Sequence, residues 1–385
     1  MKRKIVRITT VPISLEKLLE GQLAFMSEYY NVIAVSSERE NLERFGDKEG
    51  VDTYYVPLTR KITPLRDLLA LFKLIRFLKK ETPLIVHTHT PKAGIVGMMA
   101  ARFAGVPIRL HTVAGLPLLE VTGFKRRILD WVEKSTYRYA TKVLPNSRGL
   151  KEIILKEGFC PSDKLEVLGE GSSNGIDSNY FSRAHYSDEV INAKRDELTI
   201  ALEDTVFVFI GRIVKDKGIN ELTDAFVQLQ NAVPDCSLLL VGPFEDDLDP
   251  LSPETRNTIN THPKIITTGY QEDVRIYLAL SDIMVFPSYR EGFPNVVMQA
   301  GAMGLPVIAA DINGCNEIIE DGINGLLIPK KDRLQLFSKM KEVLLDPQLR
   351  ERLRIQARER IVNRYDRVKM WEIILNEYRE QEAKL

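Results

Sequence analysis

The chain has 385 residues, 44% of them apolar and 28% charged, and its 53 basic side chains balance 53 acidic ones. That composition excludes disordered and collagenous classes, and the length predicts two domains, not one core. Cys160, Cys236 and Cys315 are dispersed, odd in number and without metal-ligand spacing, which fits a reducing cytoplasm.

The N-terminal stretch MKRKIVRITTVPI is basic, but Arg7 interrupts its short apolar part and no cleavage-like site follows, so it reads as a first strand and not a signal peptide. Short, often β-branched runs recur at residues 4–9, 30–35, 53–56, 84–88, 108–112, 142–145 and 165–168, with helical patterns over 64–80, 93–104 and 125–140. A polar segment, 182–203, reads as a linker. A second series of strands follows at 206–210, 237–241, 265–267, 283–286, 306–309 and 325–328, with helices fitting at 218–232, 271–279, 294–303 and 315–320. From Arg333 onward the chain reads as helical apart from Pro347 and a break near Tyr365. No apolar run approaches the roughly 18 residues that span a bilayer.

This alternation predicts an α/β protein of two doubly wound, Rossmann-like domains, at 1–185 and 186–365, with a last helix, 366–385, packing back on the first. Two such sheets are expected to face a central cleft at the carboxyl ends of their strands, where open α/β sheets bind ligands. The balanced total conceals an asymmetry, because residues 51–150 hold 17 Lys and Arg against 6 Asp and Glu, a net +11. Such a region suits an anionic partner or a solvated basic face. Basic amphipathic stretches lie within it, at 64–80 and around Lys125-Arg126-Arg127, and their apolar faces suit either core or anionic membrane. No aromatic-interleaved basic patch points to nucleic acid.

Chemistry concentrates in the second half. After the strand VFVFI come Gly211-Arg212-Ile213-Val214-Lys215-Asp216-Lys217-Gly218 and an amphipathic helix. Glycine turns the backbone off the strand end, and the Arg212 fork with the Lys217 point charge suits a diphosphate. The stretch SYREGFPNVVMQAGAMG then places Pro294 as the first helical residue, where its missing N–H costs nothing. The amides of Asn295, Val296 and Val297 are expected to open an anion site that Gly292 leaves unobstructed. Glu291 would repel phosphate there and is better placed on sugar hydroxyls, since a carboxylate accepts several hydrogen bonds.

In the first half, His87-Thr88-His89 and His111 end two strands, with no acid or cysteine to complete a tetrahedral metal set. No metal site is expected; His89, His111 and Lys92 are candidate acceptor contacts. Gly169-Glu170-Gly171 lacks the third glycine of a dinucleotide fingerprint and reads as a turn.

The segment Gly211–Gly218, together with EGFPNVVMQAGAMGLPVIAADINGCNEIIEDGINGLLIP, resembles the C-terminal half of family-four retaining glycosyltransferases of the two-domain B fold. VHTHTPKAGIVGMMAARFAGVPIRLHTVAGL resembles the first half of their capsular-polysaccharide and O-antigen branch, so the likeness covers nearly the whole chain. It implies a nucleotide-diphosphosugar, uridine-based, bound mostly by the C-terminal domain, with no metal or other cofactor. The acceptor, a polyprenyl-diphosphate-linked sugar, would be held mainly by the N-terminal domain. Arg212 and Lys217 would hold the diphosphate after Gly211, assisted by the helix amides near Asn295 and Val296, and Glu291 would bind the donor sugar. The Gly292-Phe293-Pro294 turn leads into that helix, Gln299 falls on the nucleotide ribose, and Gly269-Tyr270 would line the base.

Three departures stand out: Gln299 replaces a glutamate, Ala114 replaces a histidine near the donor sugar, and residues 10–15 lack a glycine pair near the diphosphate. The expectation is a cytoplasmic glycosyltransferase, peripheral on the inner face of the cytoplasmic membrane. A nucleotide-sugar epimerase of the same fold, or a non-catalytic nucleotide-sugar-binding subunit, remains open. Product analysis with donor alone separates the first, and turnover with a lipid-linked acceptor the second.

Overall fold

The computed structural model describes residues 2–61, 63–247 and 249–385. It forms two compact units: the chain up to Gly175 together with Arg367–Leu385, and Ile176–Asp366. In the first unit, β1 (Lys4–Ile8), β2 (Asn31–Ser36), β3 (Asp52–Tyr55), β4 (Ile85–Thr88), β5 (Ile108–Val113) and β6 (Lys142–Pro145) form one parallel sheet in the order β3-β2-β1-β4-β5-β6. In the second, β7 (Thr205–Ile210), β8 (Cys236–Val241), β9 (Ile265–Thr267), β10 (Ile283–Phe286), β11 (Val307–Ala310) and β12 (Gly325–Ile328) repeat it as β12-β11-β10-β7-β8-β9. Strand order therefore reverses between β1 and β4 and between β7 and β10, the switch points at which doubly wound sheets carry ligands.

The strands read as unbroken apolar runs because helices cover both faces. From Val206 to Ile210 every β7 side chain is buried. On β1 a charged side chain, Arg7, is fully buried as well. Its Nε donates to His89 Nε2 at 3.1 Å and one Nη to the Tyr378 hydroxyl at 2.9 Å, while the other Nη donates to Gln22 Oε1. Tyr378 belongs to the last helix, Arg367–Ala383, which returns to the first unit; its hydroxyl also lies 2.7 Å from His87 Nδ1. Lys142 on β6 donates to Glu377 of the same helix at 3.0 Å. Trp371 Nε1 donates to Asn174 Oδ1 at 2.6 Å, and Gln22 reaches the same oxygen at 2.9 Å.

The structure corrects several expectations. Residues 165–168 form no strand: Leu165 makes one bridge to Val143 and the chain then leaves the sheet toward Gly169, whose φ is +55°. The presumed linker contains a helix, Asp188–Glu197, capped by Ser187, whose hydroxyl accepts from the Val190 amide at 3.5 Å. Residues 176–185 belong to the second unit, where Ile176 and Phe181 enter the core, so the division falls ten residues before 185. Over 271–279 only Arg275–Ala279 is helical, because Asp273 takes both the amide and the guanidinium of Arg275 into a turn. Helices at Pro12–Leu19, Gln22–Ser27, Arg39–Glu49, Arg148–Lys156 and Pro253–Thr261 join those expected.

Candidate active site

The two loops at the second sheet's switch point carry the charged residues singled out above. One leaves β7 at Gly211 and runs to Gly218; the other leaves β10 at Pro287 and runs to the helix Asn295–Ala302. Backbone contacts stitch them together. The Tyr289 amide donates to the Asp216 carbonyl at 2.9 Å. Gly218, at φ +72°, lies so close that a Cβ would meet the Pro287 carbonyl oxygen at 2.3 Å. Arg290 donates to Asp216 Oδ2 at 3.1 Å, and the Tyr289 hydroxyl donates to both Glu221 oxygens at 2.6 and 2.8 Å.

Between these loops the Lys217 ammonium is paired with the Glu291 carboxylate, and both side chains are largely shielded from water. The buried Ser288 hydroxyl donates to the same Glu291 oxygen at 2.9 Å. Arg212 is half-exposed and donates to Glu245 at 2.8 Å. Burial lowers the pKa of its guanidinium, but the charges of Glu245, Asp216 and Glu291 more than offset that and leave it raised. Two cations thus stand at the carboxyl end of β7, each resting on a carboxylate. Phosphate oxygens accept the same N–H donors as carboxylates, so an incoming diphosphate can replace Glu245 and Glu291 as the acceptor.

The backbone that holds Glu291 is itself held. Asn313 Nδ2 donates to the carbonyls of Glu291 and Gly292 at 3.0 and 2.8 Å. Gly314, at φ +79°, sits where a Cβ would lie 2.3 Å from the Gly292 oxygen. These two residues were not among those singled out from the sequence, although the Asn-Gly pair is a turn signal on its own.

Pro294 corrects the expected helix start. It is the N-cap, with φ −76° and ψ 109°, and Asn295 is the first helical residue. Its carbonyl accepts the Val297 amide at 3.1 Å, so that amide is spent within the first turn and is no anion donor. The buried ring of Phe293 packs edge-on to Tyr365 at 5.4 Å. Asn295, Val296 and Gln299 are half-buried along the helix. Gly269, at φ +68°, bridges Gly242 beyond β9, and Tyr270 beside it is 60% exposed, its ring available for stacking.

In the first unit His89 and His111 are buried, His89 on the wall of a small cavity that it shares with His87, Thr112 and Asn146. His111 Nδ1 lies 2.7 Å from the Thr88 hydroxyl, and desolvation lowers its pKa to about 4. His87 and His89 are also held neutral by burial, with the charge of Arg7 adding to the effect. Lys92 is paired with Asp67 and largely shielded. Among the described residues no group of three or more His, Cys, Asp or Glu side chains is arranged to hold a metal ion.

Comparison with known proteins decides the family. Residues 190–360 match the model of glycosyl transferases group 1, and residues 27–171 match the glycosyl transferase 4-like domain. The chain is 32% identical over 379 residues to the capsular polysaccharide biosynthesis glycosyltransferase CapM of Staphylococcus aureus, covering 98% of this chain and 97% of that one. The chain is a glycosyltransferase of this family. A second relative of this glycosyltransferase is the UDP-Gal:alpha-D-GlcNAc-diphosphoundecaprenol alpha-1,3-galactosyltransferase of Escherichia coli, 29% identical with 89% and 87% covered. The fold is shared with the crystal structure of Anabaena HepE in complex with UDP and glucose, at a TM-score of 0.83 and 20% identity over the full length of both chains.

Proposed function

We propose that this glycosyltransferase moves a hexose or N-acetylhexosamine, with retention, from a uridine-diphosphate donor to a polyprenyl-diphosphate-linked sugar in capsule or O-antigen assembly. The observation that carries the reading is the Lys217–Glu291 pair at the switch point of the second sheet, with Arg212 beside it. Arg212 and Lys217 take the diphosphate and stabilise its departure, the electrostatic route for such a leaving group. Glu291, held by Ser288 and Asn313, orients the donor sugar hydroxyls. Tyr270 and Gly269 line the base, and Gln299 faces the ribose. The relatives that act on diphosphoundecaprenol-linked sugars support the acceptor class.

The test is thermal shift with a panel of nucleotide sugars, since a ligand that binds only the folded state raises the unfolding temperature. UDP-sugars are expected to raise it most. No shift with any nucleotide sugar sinks the reading. Gln299→Glu restores a charge on the ribose side and is expected to change affinity for UDP itself more than the ranking among UDP-sugars. A changed sugar ranking at constant UDP affinity contradicts that placement.

A peripheral membrane contact belongs to the same reading. No helix among the described residues is long and apolar enough to cross a membrane. The helix Gly123–Tyr139 leaves Phe124 and Trp131 78% and 60% exposed beside Lys125 and Arg127. Aromatic rings with neighbouring cations suit an anionic lipid surface. Binding to phosphatidylglycerol vesicles is expected at low salt and should fall steeply by about 0.5 M, as screening shortens the reach of these charges. Absence of binding at low salt contradicts the contact.

A further inference from the structure

An open cavity of about 1230 Å³ lies in the first unit, and neither the histidines nor Lys92 line it. Its walls follow the carboxyl ends of β1, β2 and β3, at Val11, Ser37 and Pro57. Four guanidinium groups line it, from Arg39 and Arg44 on the helix Arg39–Glu49, Arg60 on the following loop, and Arg66 on the helix Pro64–Glu81. Three separate segments thus converge on one hollow, against only two lining carboxylates, Glu16 and Glu38. Glu38 already accepts from Asn41 at 3.0 Å, and the Arg39 guanidinium stands 5.3 Å from the Tyr55 ring.

The helix that brings Arg66 carries a second feature. Ala70, Leu74, Phe77 and Leu78 face the core, whereas Leu65, Leu68, Leu69 and Phe72 are exposed, Leu65 to 81%. Their spacing of i, i+3, i+4 and i+7 is one continuous stripe on a helix surface. Leu69 belongs both to this stripe and to the cavity wall, so the hydrocarbon surface begins where the arginines end.

From this juxtaposition we infer that the cavity binds the diphosphate of a prenyl diphosphate, with the isoprenoid chain lying along the Leu65–Phe72 stripe. Arginine forks match phosphate oxygens bidentately and hold more than one of them at once. An apolar stripe contiguous with such a cluster recognises an anion that carries a hydrocarbon tail, not a free anion. The inference rests on the lipid-linked acceptor proposed above and gives that acceptor's diphosphate its own site, separate from Arg212 and Lys217.

The experiment measures binding to the full chain with UDP present at saturation, so that the donor site is filled. Farnesyl diphosphate, inorganic diphosphate and farnesol are titrated into the parent, an Arg44→Ala/Arg66→Ala variant and a Leu65→Ser/Phe72→Ser variant. All the substituted side chains are at the surface. Farnesyl diphosphate is expected to bind more tightly than either other probe. The arginine variant should weaken it at least about tenfold, the order expected for losing two charge-assisted contacts, with UDP affinity unchanged. The serine variant should bring farnesyl diphosphate down to the affinity of inorganic diphosphate.

Unchanged farnesyl diphosphate affinity in the arginine variant overturns the inference, as does farnesol binding as tightly as the diphosphate. Loss of phosphatidylglycerol vesicle binding in the arginine variant, with farnesyl diphosphate unaffected, also overturns it, because the arginines would then serve lipid headgroups. Failure of UDP to bind the parent counts against the donor reading alone, and the farnesyl diphosphate titrations are read without it.

Discussion

The Arg212→Ala/Lys217→Ala double variant is expected to lose sugar transfer by at least about 10³-fold while remaining folded. Removing one preorganised donor from a site of developing negative charge costs about 10²–10³ in rate, and here both cations on the leaving diphosphate go together. Folding should survive because neither side chain anchors the core. Arg212 is half-exposed on Glu245, and the Tyr289–Asp216 and Gly218–Pro287 contacts that join the two loops are backbone contacts. The single variants should differ in kind. Lys217→Ala leaves Glu291 without its cation, which disturbs both diphosphate and donor-sugar contacts. Arg212→Ala frees only Glu245. Steady-state transfer, with circular dichroism as the folding control, checks the set. Full transfer by a folded double variant contradicts the diphosphate assignment.

The second large effect concerns stability, and a single oxygen carries it. Tyr378→Phe is expected to lower the unfolding free energy of the first unit by about 2–3 kcal/mol, the cost of stranding buried polar groups. Tyr378 is fully buried, and its hydroxyl serves both Arg7 at 2.9 Å and His87 at 2.7 Å. Arg7 has no carboxylate among its three hydrogen-bond acceptors, so its charge is compensated only by neutral groups. Phenylalanine preserves the packing and isolates the hydrogen-bonding loss. Denaturant unfolding followed at the tryptophans reads the change, since Trp371 sits on the same helix. An unchanged midpoint would show that the hydroxyl is dispensable to the buried network.

The sequence revealed the sheets wherever burial on both faces writes itself as a continuous apolar run, as in β7 and β8. The same rule misled at residues 165–168, because Leu-Glu-Val-Leu has the composition of a strand and only tertiary pairing decides whether a partner edge is offered. The helix Asp188–Glu197 had its signals in plain view, a serine cap, acids in the first turn and bases in the last. It buries only Ile191 and Arg195, so its polar composition concealed it. Local rules also placed the Arg212, Lys217 and Glu291 loops, because a strand end, a glycine and a helix start are all within a few residues of one another.

What the sequence could not convey was long-range covering. His87 and His89 end a strand, yet both are buried, and Tyr378, 291 residues after His87, meets the His87 ring. Asn313 escaped notice for the same reason, since its role is to hold the carbonyls of Glu291 and Gly292 from another loop. The four arginines of the cavity likewise come from three segments, none of which is exceptional by itself. Pro294 shows a subtler limit, in that proline suits both the first helical position and the residue before it, and only φ, ψ and the Val297 amide distinguish the two.

The measurement that tests the account most directly is a crystal structure of the full chain with UDP bound. The diphosphate should lie within hydrogen-bonding distance of Arg212 and Lys217, with Glu245 released from Arg212 and the uracil against Tyr270. A diphosphate bound elsewhere, with the Arg212–Glu245 and Lys217–Glu291 pairs intact, would contradict it.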